Sequence, residues 1–458
     1  MLLRSKRTAV PLRFDSDTVV PMHFWDDVYV NRDFTLCWTL RFTQVLDPDK
    51  VHHALVRLLG IGDWRKLGAR IRLNKQTRKL ELHVPAEYTK DRPAVAYSHV
   101  SHDVDIAEHP LASKFPTCTS STLPYIHDGP ASFRQLGARP DAPQKLADYL
   151  SSDEPSLSLH IVSFRDATLV SLNWSHTLAD AMGCRELIAA WCLVLAGKED
   201  QVPQLKGFQE DPLASFGASR PGEPYLLADK ELKGFRGLTF NIRYIASLLF
   251  GPKALSKTIC VPEAFIASLR SRAQEELTAG LNEGAIDKTQ DGKLPLLSDN
   301  DILVAWLSRL FLSSCSKRYV MIKNIFEVRT RLGELFDPNA AYVQNTYLGA
   351  FVISRRKHFM SKPLGHAAAE VRKAVSEQTT TKQAHGQAYL MHQSIKKYGN
   401  ILLFGEPSSD FLAFTNWSRA RFYDEIDFSP AVAGVEDRDE KGPTISATSG
   451  KSPLERQQ

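Results

Sequence analysis

Apolar and polar positions follow two rhythms along this chain, and the change of rhythm near residue 175 organises the rest. Thr168 to Trp174 (TLVSLNW) is an apolar run broken only by small polar residues, which predicts a buried strand. Beyond it, Cys184, Leu187, Ile188, Trp191 and Leu195 fall at i, i+3, i+4, i+7 and i+11, the period of one buried helical face. Gly197 stands where a C-terminal cap belongs. His176 and Asp180 occupy the turn between the two elements.

The same reading extends in both directions. Phe34 to Phe42 (FTLCWTLRF) predicts a strand, and Asp47-Pro48 opens a helix to Leu59 that buries Val51, Leu55, Leu58 and Leu59. Trp64 to Arg72 and Leu80 to Val84 predict a strand pair around Lys75-Gln76-Thr77, and residues 91 to 141 predict loops. Leu157 to Phe164 pairs with Thr168 to Trp174 as a hairpin. Residues 198 to 229, with Pro203, Pro212, Pro221 and Pro224, predict a linker. The second half reopens at Tyr244 to Leu255, followed by a strand, Thr258 to Val261, and a helix from Pro262 that buries Phe265, Ile266, Leu269 and Ala273. Thr278 to Leu297 predicts a polar surface loop. Ser298 and Asp301 approximate a capping box ahead of a helix, Ile302 to Leu312, with Ile302, Leu303, Trp306, Leu307 and Leu310 inward. Strands Tyr319 to Val328, Asn345 to Ser354 and Phe411 to Trp417 enclose helices Leu364 to Thr379 and Ala388 to Tyr398.

The order strand–helix–strand–strand–helix thus occurs twice without a sequence repeat. It predicts an α/β protein of two lobes, each a mixed β-sheet covered by helices. The divisions are an N-terminal lobe at 1–200, a crossover linker at 201–235, a C-terminal lobe at 236–433 and a disordered polar tail at 434–458.

Composition narrows the function classes. Hydrophobic residues make up 43% and charged residues 24% of 458, as in an ordinary globular protein. The net charge of +5 is too small and dispersed to argue for nucleic acid. Six cysteines (Cys37, Cys118, Cys184, Cys192, Cys260, Cys315) lack C-x-x-C spacing, which predicts reduced thiols and a cytoplasmic protein. The basic start, MLLRSKRTAVPLRF, has no apolar core of a secretory signal. Tyr244 to Phe250 is the nearest approach to a membrane span and is far too short, so no membrane partner is expected. His176 and Asp180 lack a third ligand at metal spacing, so no metal is expected either.

His176, fixed between a buried strand and a buried helix, has the rigid placement that catalysis needs. A structural histidine remains the plain alternative, and Asp180 fits an N-cap as well as a functional role. The turn His176-Thr177-Leu178-Ala179-Asp180 resembles the His-x-x-x-Asp motif of the BAHD acyltransferases, which share the chloramphenicol acetyltransferase-like fold. Three further segments resemble the family's landmarks in order. They are Val328-Arg329-Thr330-Arg331-Leu332 followed by Asn345, then Thr415-Asn416-Trp417, then Asp427-Phe428-Ser429-Pro430-Ala431. The strand around Trp38 and the segment Trp64 to Arg72 are looser matches. The similarity covers roughly residues 10 to 431 and is closest to the fungal branch that decorates secondary metabolites.

The resemblance implies transfer of an acyl group from acyl-CoA, a co-substrate and not a tightly bound cofactor, to a small-molecule alcohol or amine. It implies a monomer with the site in a tunnel between the lobes. His176 is then the general base. Asp180 points away from substrate and pairs with an arginine, Arg329 first and Arg331 second. Asn416, Trp417 and Asp427 are candidates to line the site, although the family's second signature lies away from the histidine. No residue is assigned to acyl-CoA binding. Departures are Ala181 for the family's glycine, and Ser429, Pro430 and Ala431 in the second signature. The polar tail replaces strands that complete the second lobe, so a non-catalytic binding protein is the rival expectation. A condensation-type domain would need a second histidine where Ser175 stands.

Overall fold

The computed structural model describes residues 13–117, 121–282, 294–315, 317–399, 402–434 and 445–447. In the first half, strand β1 (Thr35–Phe42) leads to helix α1 (Pro48–Leu58). The Asp47 carboxylate caps α1 by accepting from the amides of Asp49 and Lys50 at 2.9 and 3.0 Å. Strands β2 (Arg70–Leu73) and β3 (Leu80–Val84) pair antiparallel, and Thr18–Pro21 adds to the free side of β3. The expected strand from Trp64 begins only at Arg70, because Gly62–Gly68 is a 3₁₀ helix. Its buried Trp64 and Leu67 are three residues apart, the 3₁₀ repeat.

The expected loop region contains two strands, β4 (Ala96–Ser101) and β5 (Tyr125–Asp128). Strand β4 is a sheet edge whose last three residues are exposed, so it lacks the apolar signal of a buried strand. The hairpin β6 (Leu157–Ser163) and β7 (Thr168–Ser175) forms as expected, with Leu157 opposite Trp174. Every residue of both strands is buried, because both faces are covered, and the run is therefore continuous instead of alternating. Helix α2 (Ala181–Leu195) follows and packs on α1, with Trp191, Leu187, Leu55 and Trp174 in one core. Across this sheet the strand order is β1-β7-β6-β4.

The second half holds helix α3 (Gly234–Phe250), strand β8 (Lys257–Cys260), and helices α4 (Glu263–Asn282) and α5 (Asp299–Ser313). Strands β9 (Tyr319–Glu327) and β10 (Tyr347–Arg355), helices α6 (Leu364–Gln378) and α7 (Thr381–Tyr398), and strand β11 (Ser409–Thr415) complete it. Strand β9 is central, antiparallel to β10 and parallel to β11. Helices α4, α5 and α6 share a core with this sheet through Leu269, Ile302, Val371, Val320 and Ile322. Strand β8 pairs with β5, joining the two halves.

Three expected helices need correction here. Helix α5 buries Ile302, Val304, Ala305, Ser308 and Leu312, and Leu310 is exposed. Its small Ala305 and Ser308 allow the close packing on α6 that rotates the buried face away from Leu310. Helix α4 runs to Asn282, past the expected start of the polar loop, whose residues 283–293 lie outside those described. Helix α7 begins at Thr381, seven residues early, because Gln383 and Gln387 are buried there as hydrogen-bonding residues and conceal the apolar period. Gln387 brackets Gly349, accepting from its amide at 3.1 Å and donating to its carbonyl at 2.7 Å.

The segment 201–235 is packed, not loose. Leu205–Lys206 pairs with Ala341–Tyr342, and Leu213, Phe216 and Tyr225 are buried. Within the expected disordered tail, β12 (Ile445–Ala447) pairs antiparallel with β1 and extends the first sheet to five strands. Residues 435–444 and 448–458 lie outside those described.

The two halves also meet where α2 begins. A Cβ on Gly183 would lie 2.0 Å from the carbonyl oxygen of Val343, closer than any side chain tolerates. Gly183→Ala is expected to destabilise the protein by about 1–3 kcal/mol in urea unfolding, since rigid backbone must move. Gly222→Ala, with open space around it, is the control and is expected to stay within about 0.5 kcal/mol of the parent.

Candidate active site

The turn from Ser175 to Asp180 is held almost entirely through its backbone. The His176 amide donates to the Phe34 carbonyl at 2.8 Å, which carries the β1–β7 pairing one residue past the strands. The His176 carbonyl accepts from Asn345 Nδ2 at 2.8 Å. The indole of Trp174 donates to the Ala179 carbonyl at 3.0 Å, and the hydroxyls of Ser175 and Thr177 meet at 2.8 Å. The imidazole itself is only partly buried. Its Nδ1 is enclosed and has no hydrogen-bond partner among the described residues, and the Tyr347 ring lies 5.9 Å away.

Asp180 does not touch this ring. Its Oδ1 caps α2 by accepting from the Gly183 amide at 2.8 Å, and also accepts from Arg329 Nη2 at 2.9 Å. Its Oδ2 accepts from the Thr346 amide at 3.0 Å and from Arg329 Nη1 at 3.2 Å. The guanidinium and carboxylate therefore meet as a two-pronged pair, with Asp180 5% exposed. Arg329 Nη2 donates further to the Gln344 carbonyl at 2.6 Å. One carboxylate so joins the helix start, the turn after β9 and the segment entering β10.

Asn345 is held in turn by Asp26, whose Oδ1 accepts from both its amide and its Nδ2 at 2.8 Å. Asp26 is buried, which pushes its carboxyl up against the opposing pull of nearby Lys66 and Asn345. Burial pushes Lys66 down, against the pull of Asp26, and its Nζ donates to the Gly207 carbonyl at 2.7 Å. Tyr347 Oη donates to Asn31 Oδ1 at 2.5 Å, and Asn31 Nδ2 donates to the Trp25 carbonyl at 2.9 Å. Sequence reasoning missed Asp26 and Asn31, because short polar residues in an aperiodic segment give no signal of long-range contact. Gly183 was missed too, since it lies within a helix and only the Val343 backbone reveals its need.

The remaining candidates lie apart from this cluster. Arg331 donates to the carbonyls of Thr379 and Glu327 at 2.9 and 3.0 Å and lies over the Phe326 ring, so it is not Asp180's partner. Asn416 is exposed and its Oδ1 accepts from the Ser418 amide at 2.8 Å, closing a turn. Trp417 packs on Trp38 at 4.9 Å, and Trp38 on Trp174 at 5.2 Å. Asp427 is exposed, closes a turn to the Ser429 amide at 2.9 Å, and its own amide faces Cys192 Sγ. Cys192 is three turns along α2 from Asp180, about 18 Å at 1.5 Å per residue.

Chemically, the cluster offers one accessible imidazole on a rigid turn. The neighbouring thiol, Cys184, is sealed in the core, and burial pushes it well up, which withholds a thiolate. Among the described residues, no group of three His, Cys, Asp or Glu could hold a metal ion.

Comparison with known proteins bears on this arrangement. The Transferase family model matches residues 140–431. The acetyltransferase adrJ of Penicillium rubens is 34% identical over 440 residues, spanning 94% of this chain and 86% of its own length. A Penicillium decumbens protein named transcriptional regulator calD is 36% identical, spanning 94% of this chain and 85% of its own. Among solved structures, F. graminearum TRI101 complexed with coenzyme A and T-2 mycotoxin has a TM-score of 0.60. At 12% identity over 94% of this chain and 89% of that one, it shares the fold.

The buried pair is directly testable. Arg329→Met strands the Asp180 carboxylate in the interior and is expected to cost about 3–5 kcal/mol in urea unfolding. Asp180→Asn combined with Arg329→Met removes both charges and is expected to cost less than the sum of the single changes. Additive costs in the double variant would show that the two side chains do not act as a pair.

Proposed function

Since this chain belongs to the Transferase family, the BAHD acyltransferases, we propose that it moves an acyl group from acyl-coenzyme A to a hydroxyl or amine of a small secondary-metabolite acceptor, with His176 as general base. The observation that carries the role of His176 is a partly exposed imidazole held by backbone bonds to Phe34 and Asn345. Neutral imidazole suits the task because its ordinary pKa lies near working pH.

The thioester carbonyl is already activated, so no acyl-enzyme is required. As the acceptor oxygen or nitrogen bonds to the carbonyl carbon, the imidazole takes its proton. Collapse of the tetrahedral intermediate breaks the carbon–sulfur bond, and the imidazolium returns the proton to the departing thiolate. The products are an ester or amide and free coenzyme A. Asp180 and Arg329 act as positioning residues, since neither touches the imidazole. We read Trp417, packed on Trp38, as part of the wall that leads to the site. The turn-closing bonds of Asn416 and Asp427 support structural roles for both.

We read the chain as lobes at 1–200 and 236–433 joined through 201–235, a division supported by β1, β4, β6 and β7 lying in one sheet and β9, β10 and β11 in another. A monomer working in the cytoplasm is the simplest setting. Cys37, Cys184, Cys192 and Cys315 are free thiols, which supports the reducing compartment. The rival reading, a family member that binds ligands without turnover, draws on the relative named a transcriptional regulator.

Purified protein incubated with acetyl-coenzyme A and a panel of alcohols and amines separates the two readings. Acceptor-dependent release of free thiol is expected. His176→Ala is expected to lower kcat by about 10²–10⁴-fold while its melting temperature stays near the parent's. Full turnover by that variant removes the imidazole from the mechanism. Thioester binding without release favours the binding protein.

A further inference from the structure

Helix α3 breaks the rule that a helix turns its apolar stripe inward. Of its 17 residues only Phe240 is buried, packed with Tyr225, Met321, Phe351 and Phe404. At about 100° per residue, Phe235, Leu238, Ile242, Ile245 and Leu249 form a single stripe on the side opposite Phe240. All five are exposed, from 53% at Ile245 to 82% at Phe235. Phe250 at 87% and Leu255 at 83% continue the apolar surface beyond the helix. Among the described residues, no helix is long and apolar enough to cross a membrane. A helix of this length spans about 25 Å and suits lying in an interface.

Charge identifies what the stripe meets. From Leu232 to Pro262 the chain carries Lys233, Arg236, Arg243, Lys253 and Lys257, and no Asp or Glu. Lys233, Arg236 and Lys257 pair with Glu231, Glu406 and Asp128. Arg243 and Lys253 are exposed and carry no ion pair among the described residues. We propose that α3 is a peripheral membrane-binding helix, which lays its Phe235-to-Leu249 stripe into one leaflet of a bilayer containing anionic lipid. The unpaired cations beside the stripe complement lipid phosphates and carboxylates. A second copy of the chain on the same face would set like charges against each other. This departs from the expectation of no membrane partner, which rested on the absence of a spanning segment.

Sedimentation of the full chain with vesicles tests the assignment. Phosphatidylcholine vesicles containing phosphatidylserine are expected to carry the protein down at low salt, pure phosphatidylcholine vesicles much less. Added salt is expected to release it. Leu238→Glu/Ile245→Glu/Leu249→Glu, all at exposed positions, is expected to lower the bound fraction about tenfold or more at an unchanged melting temperature. Arg243→Gln/Lys253→Gln is expected to bring binding to anionic vesicles down towards the phosphatidylcholine level. The proposal is overturned if neither vesicle binds, if both bind equally, or if the triple variant binds like the parent. A lipid-free dimer by ultracentrifugation that the triple variant abolishes would also overturn it, with a second copy as the true occupant.

Discussion

The constraint on which this structure depends is the pairing of Asp180 with Arg329 inside a contact between the two halves of the chain. Taking a carboxylate and a guanidinium out of water costs several kcal/mol per ion, so such a pair persists only with its lone pairs filled. Asp180 meets that condition with the Gly183 and Thr346 amides and both terminal nitrogens of Arg329. What the pair supplies is direction. The same carboxylate fixes where α2 starts and where the chain enters β10, and His176, four residues before that carboxylate, is tied by its carbonyl to Asn345 at the second of these points. The zero-side-chain Gly183 is the steric counterpart, because any Cβ there would push Val343 and the arginine's platform away.

A second layer of buried polar groups stands behind the first. Asp26 accepts from the Asn345 amide and Nδ2, Asn345 Nδ2 reaches the His176 carbonyl, and Lys66 donates to the Gly207 carbonyl while attracting Asp26 by charge; Asn345 Oδ1 alone of these is buried without a partner among the described residues. Partly satisfied networks of this kind destabilise and fully satisfied ones specify a unique arrangement. Asn345 is the link that matters to chemistry, since its Nδ2 reaches the His176 carbonyl and Asp26 at once. The imidazole thereby gains a fixed backbone and keeps its ring free of any carboxylate. A proton acceptor that must also release its proton within one turnover is well served by that freedom.

How much of this was legible in the sequence follows from which signals are local. The period of Cys184, Leu187, Ile188 and Trp191 predicted α2, and the capping patterns at Asp47 and Ser298 predicted where α1 and α5 begin. Local signals failed where tertiary contacts replaced periodicity. Gln383 and Gln387 hid the first turns of α7 because their burial is met by hydrogen bonds to distant backbone, at Leu226 and at Gly349 of β10. Strand β4 was hidden by its exposed end, and the proline-rich segment 201–235 by a composition typical of loops that here packs Tyr225 and Phe216 into cores. In the cluster around His176, the motif resemblance placed Arg329 beside Asp180, whereas Asp26 and Asn31 depend on contacts across more than 300 residues. No local pattern encodes those.

The altered second signature raises the question of how residues 427–433 are held without glycines at 429 and 431. Phe428 answers it, being fully buried and stacked on Phe42 at 5.0 Å and against Trp191 at 4.9 Å. Burying such a ring contributes about 1.5–3 kcal/mol, enough to anchor a short segment. Around it the Asp47 amide donates to the Ala431 carbonyl at 2.7 Å and the Ala433 amide to the Val45 carbonyl at 2.9 Å, so backbone bonds fix the flanks. Ser429-Pro430-Ala431 forms one 3₁₀ turn with the proline in its first turn, a place that loses no hydrogen bond. The segment therefore docks on the first half of the chain and contributes to the α1–α2 core. Its attachment rests on an aromatic side chain and backbone bonds, neither of which depends on a glycine at 429 or 431. Beyond it, β12 pairs with β1 at the edge of that same sheet. Residues 428–433 and β12 thus secure the first half, whose strand β7 leads into His176.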